Sequence, residues 1–299
     1  MQRLAMILAA ALLFSSTVIL RSAQAQTVPS AHSMFHVEVK GHGTPMILIP
    51  GLASSGATWD STVAHYEKQY ECHVITLSGF AGEPPVAGFS LEKVRDQLSG
   101  YIAAKHLAPA VIVGHSLGGD IALWLAATHP DQVSKLVIVD SLPALGAVRD
   151  PSTTSEQLRA DAEKMRQGML QMNEEARLKM AKQATAGMAT ADKDVERIYG
   201  WSKATDAKTE ADAISDLIGL DLRNDVANIK APTLVLGTWI AYAPYATKEQ
   251  VLQTFQTQYK QLKGVEIELA PKARHFIMYD DPQWMFAQMD RFLNAGTKN

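Results

Sequence analysis

A serine between two glycines is the feature of this sequence best suited to chemistry. Ser116 has Gly114 two places before it and Gly118 two places after it. The β-branched run 111–113 before it predicts a buried strand, and the apolar stretch 121–127 after it predicts a helix. Only glycines fit beside so tight a turn, which holds the serine in a strained conformation. The pattern predicts a nucleophilic hydroxyl at the carboxyl end of a strand, where the helix N-terminus favours developing negative charge.

A serine hydroxyl is a poor nucleophile at neutral pH and needs a base beside it. Of the nine histidines, His275 is the best candidate, because it follows the last predicted strand and precedes a predicted helix. A loop in that position can bring its ring over Ser116. His115 lies inside the tight turn and is expected to point into packing. No acid or serine stands in an obvious relation to four others, which are His65, His73, His106 and His129.

The elements that must position these residues alternate between strands and helices. Strands are predicted at residues 36–39, 46–49, 73–77, 110–113, 135–139, 233–236 and 265–269. Helices are predicted between them, at residues 59–70, 90–105, 121–127, 247–259 and 282–292. Their short spacing implies a parallel sheet with right-handed crossovers and an edge strand at 36–39. Ligands bind at the carboxyl ends of such strands, where Leu52, Phe80, Ser116 and Asp140 all fall.

Residues 143–225 interrupt this alternation. No strand is predicted there, and Ala, Glu, Lys, Gln and Met dominate four helix-forming stretches. We therefore expect a helical cap inserted into a core made of residues 26–142 and 226–299. Met165, Met169 and Met172 fall on one helix face. They are expected either to form the core of the cap or to roof a substrate pocket.

The chain from about residue 34 to 293 resembles the α/β-hydrolase superfamily. The matching segments are 49–52, 114–119, 233–236 and 274–276, the last followed by an Asp-Pro pair at 281–282. The resemblance implies a mostly parallel, doubly wound α/β sheet with an inserted helical cap. It also implies acyl transfer through a covalent serine intermediate, usually with water as the final acceptor.

The acid of the triad departs from the commoner pattern of this superfamily. The family usually carries it in the loop after the strand at 233–236, but that loop has no carboxylate before Glu249. Asp140 occupies the alternative position known in the superfamily. From there a carboxylate can hold the histidine tautomer and stabilise the imidazolium. Glu249, Asp221, Asp225 and a Ser–His dyad without an acid remain alternatives.

The resemblance also assigns the oxyanion hole. One donor is the backbone amide of Leu117, directly after the nucleophile, and the other is the amide of Leu52 in the loop after the strand at 46–49. The substrate pocket is less defined by sequence. The candidates for its lining are Phe80, Leu142, Trp239 and Met278, each of which could equally belong to the core. Asp120, in the first turn of the helix after Ser116, is explained by stabilisation of the helix dipole.

The first 25 residues have the features of a signal peptide. Arg3 is followed by a mostly apolar run at 4–20 and by Ala23-Gln24-Ala25, a small-x-small cleavage pattern. The alternative is a retained membrane anchor, since the run is nearly long enough to span a bilayer. We expect cleavage and export to the periplasm or the medium, with no stable membrane association afterwards. Cleavage removes two arginines and no acid, so the net charge falls from −3 to about −5.

The overall composition limits the classes of partner. No run of basic residues appears, which argues against nucleic acid. Cys72 is the single cysteine, so the exported protein would have no internal disulfide. No metal-ligand spacing, phosphate loop or dinucleotide fingerprint is present, and no cofactor is expected. The expected partner is a small-molecule ester, and the sequence gives no prediction of oligomeric state.

The leading hypothesis is an exported serine hydrolase of carboxylic esters, with apolar acyl or small aromatic esters as candidate substrates. An acyltransferase, an amidase or a carbon–carbon hydrolase would use the same triad with another acceptor or leaving group. A binding protein that keeps the pocket without catalysis is the alternative from outside enzymology. A fluorophosphonate probe separates the enzymes from the binding protein, because only an activated serine reacts with it.

Overall fold

A seven-stranded sheet runs through residues 33–295, the part of the chain that this computed structural model describes. Its strands are β1 (Phe35–Gly41), β2 (Thr44–Ile49), β3 (Tyr70–Leu77), β4 (Ala110–His115), β5 (Val133–Val139), β6 (Thr233–Thr238) and β7 (Glu266–Ala270). Their spatial order is β1-β3-β2-β4-β5-β6-β7, with β1 antiparallel to β3 and every other pair parallel. The predicted α/β sheet with an edge strand at its start is confirmed. The predicted signal segment 1–25 lies outside the described residues.

Helices cover both faces of this sheet and fill the connections between its strands. They are α1 (Asp60–Tyr66), α2 (Leu91–Ala104), α3 (Leu117–Thr128), α4 (Ser155–Leu170), α5 (Glu174–Thr185), α6 (Asp192–Ala204), α7 (Ala207–Gly219), α8 (Lys248–Gln258), α9 (Ile277–Asp280) and α10 (Pro282–Asn294). Within residues 33–295, no helix has both the length and the apolar character needed to cross a bilayer.

The central strands are apolar on both faces because each face is covered. Along β2, Ile47 and Ile49 pack into one hydrophobic cluster, and Met46 and Leu48 pack into another on the opposite face. All four side chains are fully buried. This alternation follows from the two-residue period of a strand, and double-sided burial is typical of parallel sheets. Each such side chain contributes about 1.5–3 kcal/mol relative to an exposed position.

Several predicted boundaries differ from the structure; the helix expected at 121–127, for example, begins at Leu117. The helix expected at 59–70 ends at Tyr66, because Gln69 N–H bonds to the Tyr66 carbonyl and closes a turn. Strand β3 therefore begins three residues earlier than predicted, at Tyr70, where pairing with the neighbouring strands extends it. The segment predicted as a loop before the last helix contains the short helix α9. One turn of helix is too short to show a hydrophobic period in the sequence.

The four helices α4–α7 lie between β5 and β6, and we call them the helical insertion. The insertion is tied to the loop after β3. Asp206 N–H donates to the Gly79 carbonyl at 2.8 Å, and Ala81 N–H donates to Thr205 Oγ1 at 3.0 Å. This loop leaves the carboxyl end of a parallel strand, so the insertion contacts the edge of the sheet where Ser116 lies.

A buried ion pair holds the insertion together. Arg177 on α5 lies 3.1 Å from Glu210 on α7 and also bonds to Glu174 and to the Ser202 carbonyl on α6. The side chains of Arg177 and Glu210 are each only 8% exposed. A charge buried to this extent requires its partner, since removing one member of such a pair typically costs about 3–5 kcal/mol. Helices α5, α6 and α7 are therefore fixed to one another.

Candidate active site

Ser116 lies at the sharp turn between β4 and α3. Its backbone has φ 51° and ψ −127°, in a region that residues with a side chain rarely adopt. Strain of this kind costs about 1–3 kcal/mol and persists only where the surroundings enforce it. Here Ser116 N–H bonds to the Val139 carbonyl at 2.9 Å. The side chain is half-buried at the N-terminus of a helix.

The flanking glycines are required by close backbone contacts. A Cβ atom on Gly114 would lie 2.2 Å from the Gly118 carbonyl oxygen, and one on Gly118 would lie 2.3 Å from the Ile49 carbonyl oxygen. Neither distance is compatible with a real side chain. The turn around Ser116 is thus pressed against the end of β2, as the glycine spacing indicates.

Asp140 and His275 form a short hydrogen bond. Their Oδ2 and Nδ1 atoms are 2.6 Å apart, although the two residues are separated by 135 positions in the chain. The Asp140 side chain is 3% exposed and that of His275 is 22% exposed. Asp140 Oδ1 accepts a second bond from Thr238 N–H at 2.9 Å. The carboxylate is therefore fixed between β6 and the histidine.

These bonds define the tautomer of His275. A carboxylate only accepts hydrogen bonds, so Nδ1, which faces Asp140, must carry the proton. In the neutral ring Nε2 is then unprotonated and can act as a base. Asp140 itself has a left-handed backbone with φ 49°, and its N–H bonds to the Leu236 carbonyl at 2.7 Å. The structure thus constrains the acid as firmly as it constrains the nucleophile.

His275 lies next to the turn that carries Ser116. Its ring centroid is 4.6 Å from that of His115, the residue immediately before Ser116. Within residues 33–295, no hydrogen bond joins the Ser116 hydroxyl to His275. In unliganded enzymes this contact is commonly long and shortens only when substrate is present. The arrangement brings together a serine, a histidine and a carboxylate, the three residue types that a catalytic triad for acyl transfer uses.

His115 is buried and supports the loop that contains His275. Its Nε2 donates to the His275 carbonyl at 3.1 Å. Burial, followed by the proximity of His275, lowers its pKa well below the ordinary value, so the ring stays neutral. The prediction that His115 points into packing is confirmed. Its bond to the histidine loop was not foreseen, because nothing local in the sequence connects positions 115 and 275.

The two expected oxyanion donors border Ser116. Leu117 is the first residue of α3, so its N–H has no partner within the helix. A Cβ atom on Gly51 would lie 3.2 Å from Ser116 Cβ, which places the loop before Leu52 against the nucleophile. The amides of Leu117 and Leu52 thus remain the predicted donors.

Residues 44–282 match the sequence profile of the family described as alpha/beta hydrolase fold. The chain belongs to this family. It is similar to pimeloyl-(acyl-carrier protein) methyl ester esterases. The one from Vibrio atlanticus is 36% identical over 113 residues, which span 38% of this chain and only 42% of that protein. The one from Aeromonas hydrophila is 28% identical over 262 residues, 86% of this chain and 98% of that one.

A solved structure supports the same fold. The enol-lactonase from Burkholderia xenovorans superimposes with a TM-score of 0.69, over 87% of this chain and 96% of the other. The two sequences are 20% identical, so the likeness shows a shared α/β-hydrolase fold.

The other carboxylates considered as the triad acid lie elsewhere in the hydrolase fold. Glu249 is exposed in the first turn of α8, where bonds from its own backbone and from Thr247 lower its pKa. Asp221 pairs with Arg223 at 2.7 Å. Asp225 is exposed in a short 3₁₀ turn. In the described chain, none of these three carboxylates bonds to His275.

The candidates for the pocket lining fall into two groups. Phe80 and Met278 are 0% and 1% exposed and pack into the two core clusters, which agrees with the alternative that they belong to the core. Leu142 and Trp239 are only partly buried and remain candidates.

Two surface cavities lie away from this constellation. One of about 340 Å³ lies between residues 147–148 and α8, and another of about 440 Å³ lies between α2, α4 and α7. Neither is lined by Ser116, Asp140 or His275. Within residues 33–295, no group of three or more His, Cys, Asp or Glu side chains could hold a metal ion. The side-chain geometry, and not the size of a cavity, identifies the candidate site.

Two histidines have acidic partners that the sequence did not reveal. His73 Nε2 lies 2.9 Å from a carboxylate oxygen of Glu71, only two residues away on the same strand. His65 Nε2 lies 3.1 Å from Asp290 on α10. The sequence showed no obvious relation between these histidines and an acid, and the fold supplies one for each. Both pairs lie outside the constellation around Ser116.

Asp120 is a buried carboxyl group in the first turn of α3. It is 3% exposed and accepts a bond from Ser141 Oγ at 2.6 Å. Burial raises its pKa to about 8, against the smaller lowering effect of the Ser141 bond. Burial therefore works against the charged carboxylate on which the explanation by helix dipole depends. Nothing local in the sequence indicated that Asp120 is buried beside Ser141, which lies 21 positions away.

The buried acid predicts a pH dependence of stability. The folded protein holds the Asp120 proton up to about pH 8, whereas the unfolded chain releases it near pH 4. The free energy of unfolding should thus fall as pH rises between these values, by up to about 1.4 kcal/mol per unit. Asp120→Asn removes this loss. In urea unfolding at pH 5, 7 and 9, the free energy of unfolding of the variant should increase relative to that of the wild type as pH rises.

The exposed Asp131 provides the control, since its side chain is 90% exposed and pairs only with Lys230 at the surface. Asp131→Asn should give the same stability difference at all three pH values. A difference between wild type and Asp120→Asn that does not change with pH would contradict the assignment of a neutral buried acid.

Proposed function

We propose that this protein is a serine hydrolase that cleaves carboxylic esters through an acyl-enzyme on Ser116. The observation that carries the proposal is the 2.6 Å bond between Asp140 and His275 beside a serine held at φ 51°. The names of the similar proteins agree with the substrate class. A methyl ester esterase and a lactonase both act on a carboxylic ester, which is open in the first case and cyclic in the second.

The first half of the reaction forms the acyl-enzyme. Ser116 Oγ attacks the ester carbonyl while His275 Nε2 takes its proton. The carbonyl oxygen becomes an oxyanion, which the amides of Leu117 and Leu52 would stabilise; one such donor is worth about 10²–10³ in turnover. The intermediate collapses when the bond to the alcohol breaks. His275 returns its proton to the departing alkoxide.

The second half repeats this chemistry with water. His275 takes a proton from water, whose oxygen attacks the acyl carbon. Collapse of the second tetrahedral intermediate releases the carboxylic acid, and Ser116 regains its proton from His275. In both halves Asp140 holds the Nδ1 proton and stabilises the imidazolium as it forms.

The helical insertion would act as a cap in this reaction. It connects β5 to β6, and Asp140 is the first residue of that connection. It also bonds to the loop that begins at Gly79. An apolar roof there would exclude water from the oxyanion and strengthen the electrostatic interactions around it. The partly exposed Leu142 and Trp239 are the residues we expect to contact the acyl group.

A fluorophosphonate probe tests the proposal. Folded wild-type protein should react with it once per chain, and peptide mapping should find the label on Ser116. Ser116→Ala should not react, although its circular dichroism matches that of the wild type. A folded wild-type protein that stays unlabelled, and that hydrolyses no p-nitrophenyl ester from acetate to octanoate, would contradict the enzymatic function.

A further inference from the structure

The loop that carries His275 is held by hydrogen bonds to several of its backbone groups. We call residues 273–276 the histidine loop. The Ala273 carbonyl accepts a bond from the Thr238 hydroxyl on β6. The His275 carbonyl accepts one from His115. Phe276 N–H donates to the Met188 carbonyl, on the helical insertion, at 3.0 Å. The loop is thus attached to the sheet on one side and to the insertion on the other.

Asp280 also connects the histidine loop to the insertion, because its carboxylate accepts hydrogen bonds from both. One of its oxygens accepts a bond from Arg274 N–H at 2.8 Å, inside the histidine loop. The same carboxylate accepts Thr190 N–H at 2.8 Å and the Thr190 hydroxyl at 2.9 Å. Thr190 lies between α5 and α6, so it belongs to the insertion. A single carboxylate therefore joins the residue before His275 to the insertion.

We propose that Asp280 is a positioning residue that couples the helical insertion to the catalytic base, so that the two move as a unit. The inference rests on the proposed function, because it gives His275 the role of base. Asp280 does not touch the reacting atoms. It acts through Arg274 and Thr190 on the placement of the His275 ring.

The chemistry of this connection favours such a role. Hydrogen bonds to a charged carboxylate are roughly twice as strong as bonds between neutral groups. Loss of the carboxylate would leave Arg274 N–H and Thr190 N–H without their partner. His275 must also stay within reach of Asp140 and of the Ser116 hydroxyl. A displacement of about 1 Å in such a site can lower turnover by about 10²-fold.

Three variants at Asp280 and one at Thr190 test the coupling. Asp280→Ala removes every bond, Asp280→Asn keeps the size but offers only one accepting oxygen, and Asp280→Glu keeps both oxygens. Thr190→Val removes the hydroxyl bond on the insertion side and leaves the Arg274 bond in place. Asp290→Ala is the matched control. Asp290 also joins two elements, through His65 and Tyr66, but it contacts no part of the histidine loop.

Two readouts separate positioning from stability. The first is the split between kcat and KM for p-nitrophenyl acetate. Asp280→Ala should lower kcat by about 10- to 100-fold with KM within a few-fold, because the ester still binds but meets a misplaced base. The kcat values of Asp280→Asn and Thr190→Val should lie between those of Asp280→Ala and the wild type. Asp280→Glu should recover most of the loss, and Asp290→Ala should leave kcat unchanged.

The second readout needs no turnover. The His275 Nδ1 proton lies between the ring and the Asp140 carboxylate, so we expect it to give a downfield proton resonance that ¹⁵N labelling of histidine identifies. Asp280→Ala should broaden or shift it and should speed amide exchange at Thr190. If the proposed function is wrong, the wild type will neither react with the fluorophosphonate probe nor hydrolyse the esters, whether or not this resonance changes in the variant. An unchanged resonance in folded Asp280→Ala, or a loss of kcat equally large in Asp290→Ala, would overturn the coupling.

Discussion

Ser116→Ala is expected to lower kcat for p-nitrophenyl acetate by about 10⁶-fold, the size seen when the nucleophile of a serine hydrolase is removed. Alanine keeps the small side chain that the turn tolerates but has no oxygen with which to form the acyl-enzyme. The fold should survive, because Ser116 holds its place through its backbone N–H, which donates to Val139. The measurement is hydrolysis with the spontaneous rate subtracted.

Ser152→Ala is the control for this substitution. Ser152 is exposed and bonds only to Asp150, at the beginning of the insertion. Its loss should leave kcat within two-fold of the wild type. If Ser116→Ala retained more than about 1% of the wild-type kcat, another nucleophile would have to be responsible, since a triad without its serine has no covalent route.

Asp140→Asn is expected to lower kcat by about 10⁴-fold, the loss found when the acid of such a triad becomes an amide. The substitution preserves the shape of the side chain and can keep the bond from Thr238 N–H. An amide NH₂ group facing the ring would favour the tautomer with the proton on Nε2. That tautomer cannot accept the proton of Ser116. Steady-state kinetics with p-nitrophenyl acetate measure the loss.

Glu249→Gln distinguishes the two candidate acids of the hydrolase fold. Glu249 is exposed on α8, and we expect its replacement to leave kcat within two-fold. A large loss in Glu249→Gln together with a small one in Asp140→Asn would show that the acid is Glu249 after a rearrangement of the β6–α8 loop. Losses that are small in both variants would favour a Ser–His dyad.

Local patterns in the sequence were enough for the sheet and for the first two members of the constellation. The two-residue alternation of buried strands, the glycines around Ser116 and the position of His275 between a strand and a helix are all signals within a few residues. The candidate acid Asp140 also followed from local signals, since it ends a predicted strand and the loop where the family usually carries the acid lacks a carboxylate. The misplaced start of β3 shows the limit of such signals. Tyr70 belongs to the strand because it pairs with the neighbouring strand, and this pairing has no local signal in the sequence.

Tertiary structure alone decided which polar side chains meet. Asp120 and Ser141 are 21 positions apart, and Asp280 and Thr190 are 90 positions apart. In both cases a common residue type gains its role from a partner that folding brings to it. Packing likewise decides for Phe80 and Met278, whose types fit either a pocket lining or the core and whose side chains are buried.

The sequence by itself therefore determined the fold and the identity of the candidate nucleophile, base and acid. The physical reason is that the backbone conformations of strands, helices and the turn at Ser116 depend on nearby residues. The tertiary structure decided the burial of Asp120 beside Ser141, the tautomer of His275 and the connection through Asp280 to the insertion. These properties depend on burial and on hydrogen-bond partners distant in sequence, which exist only once the chain is folded.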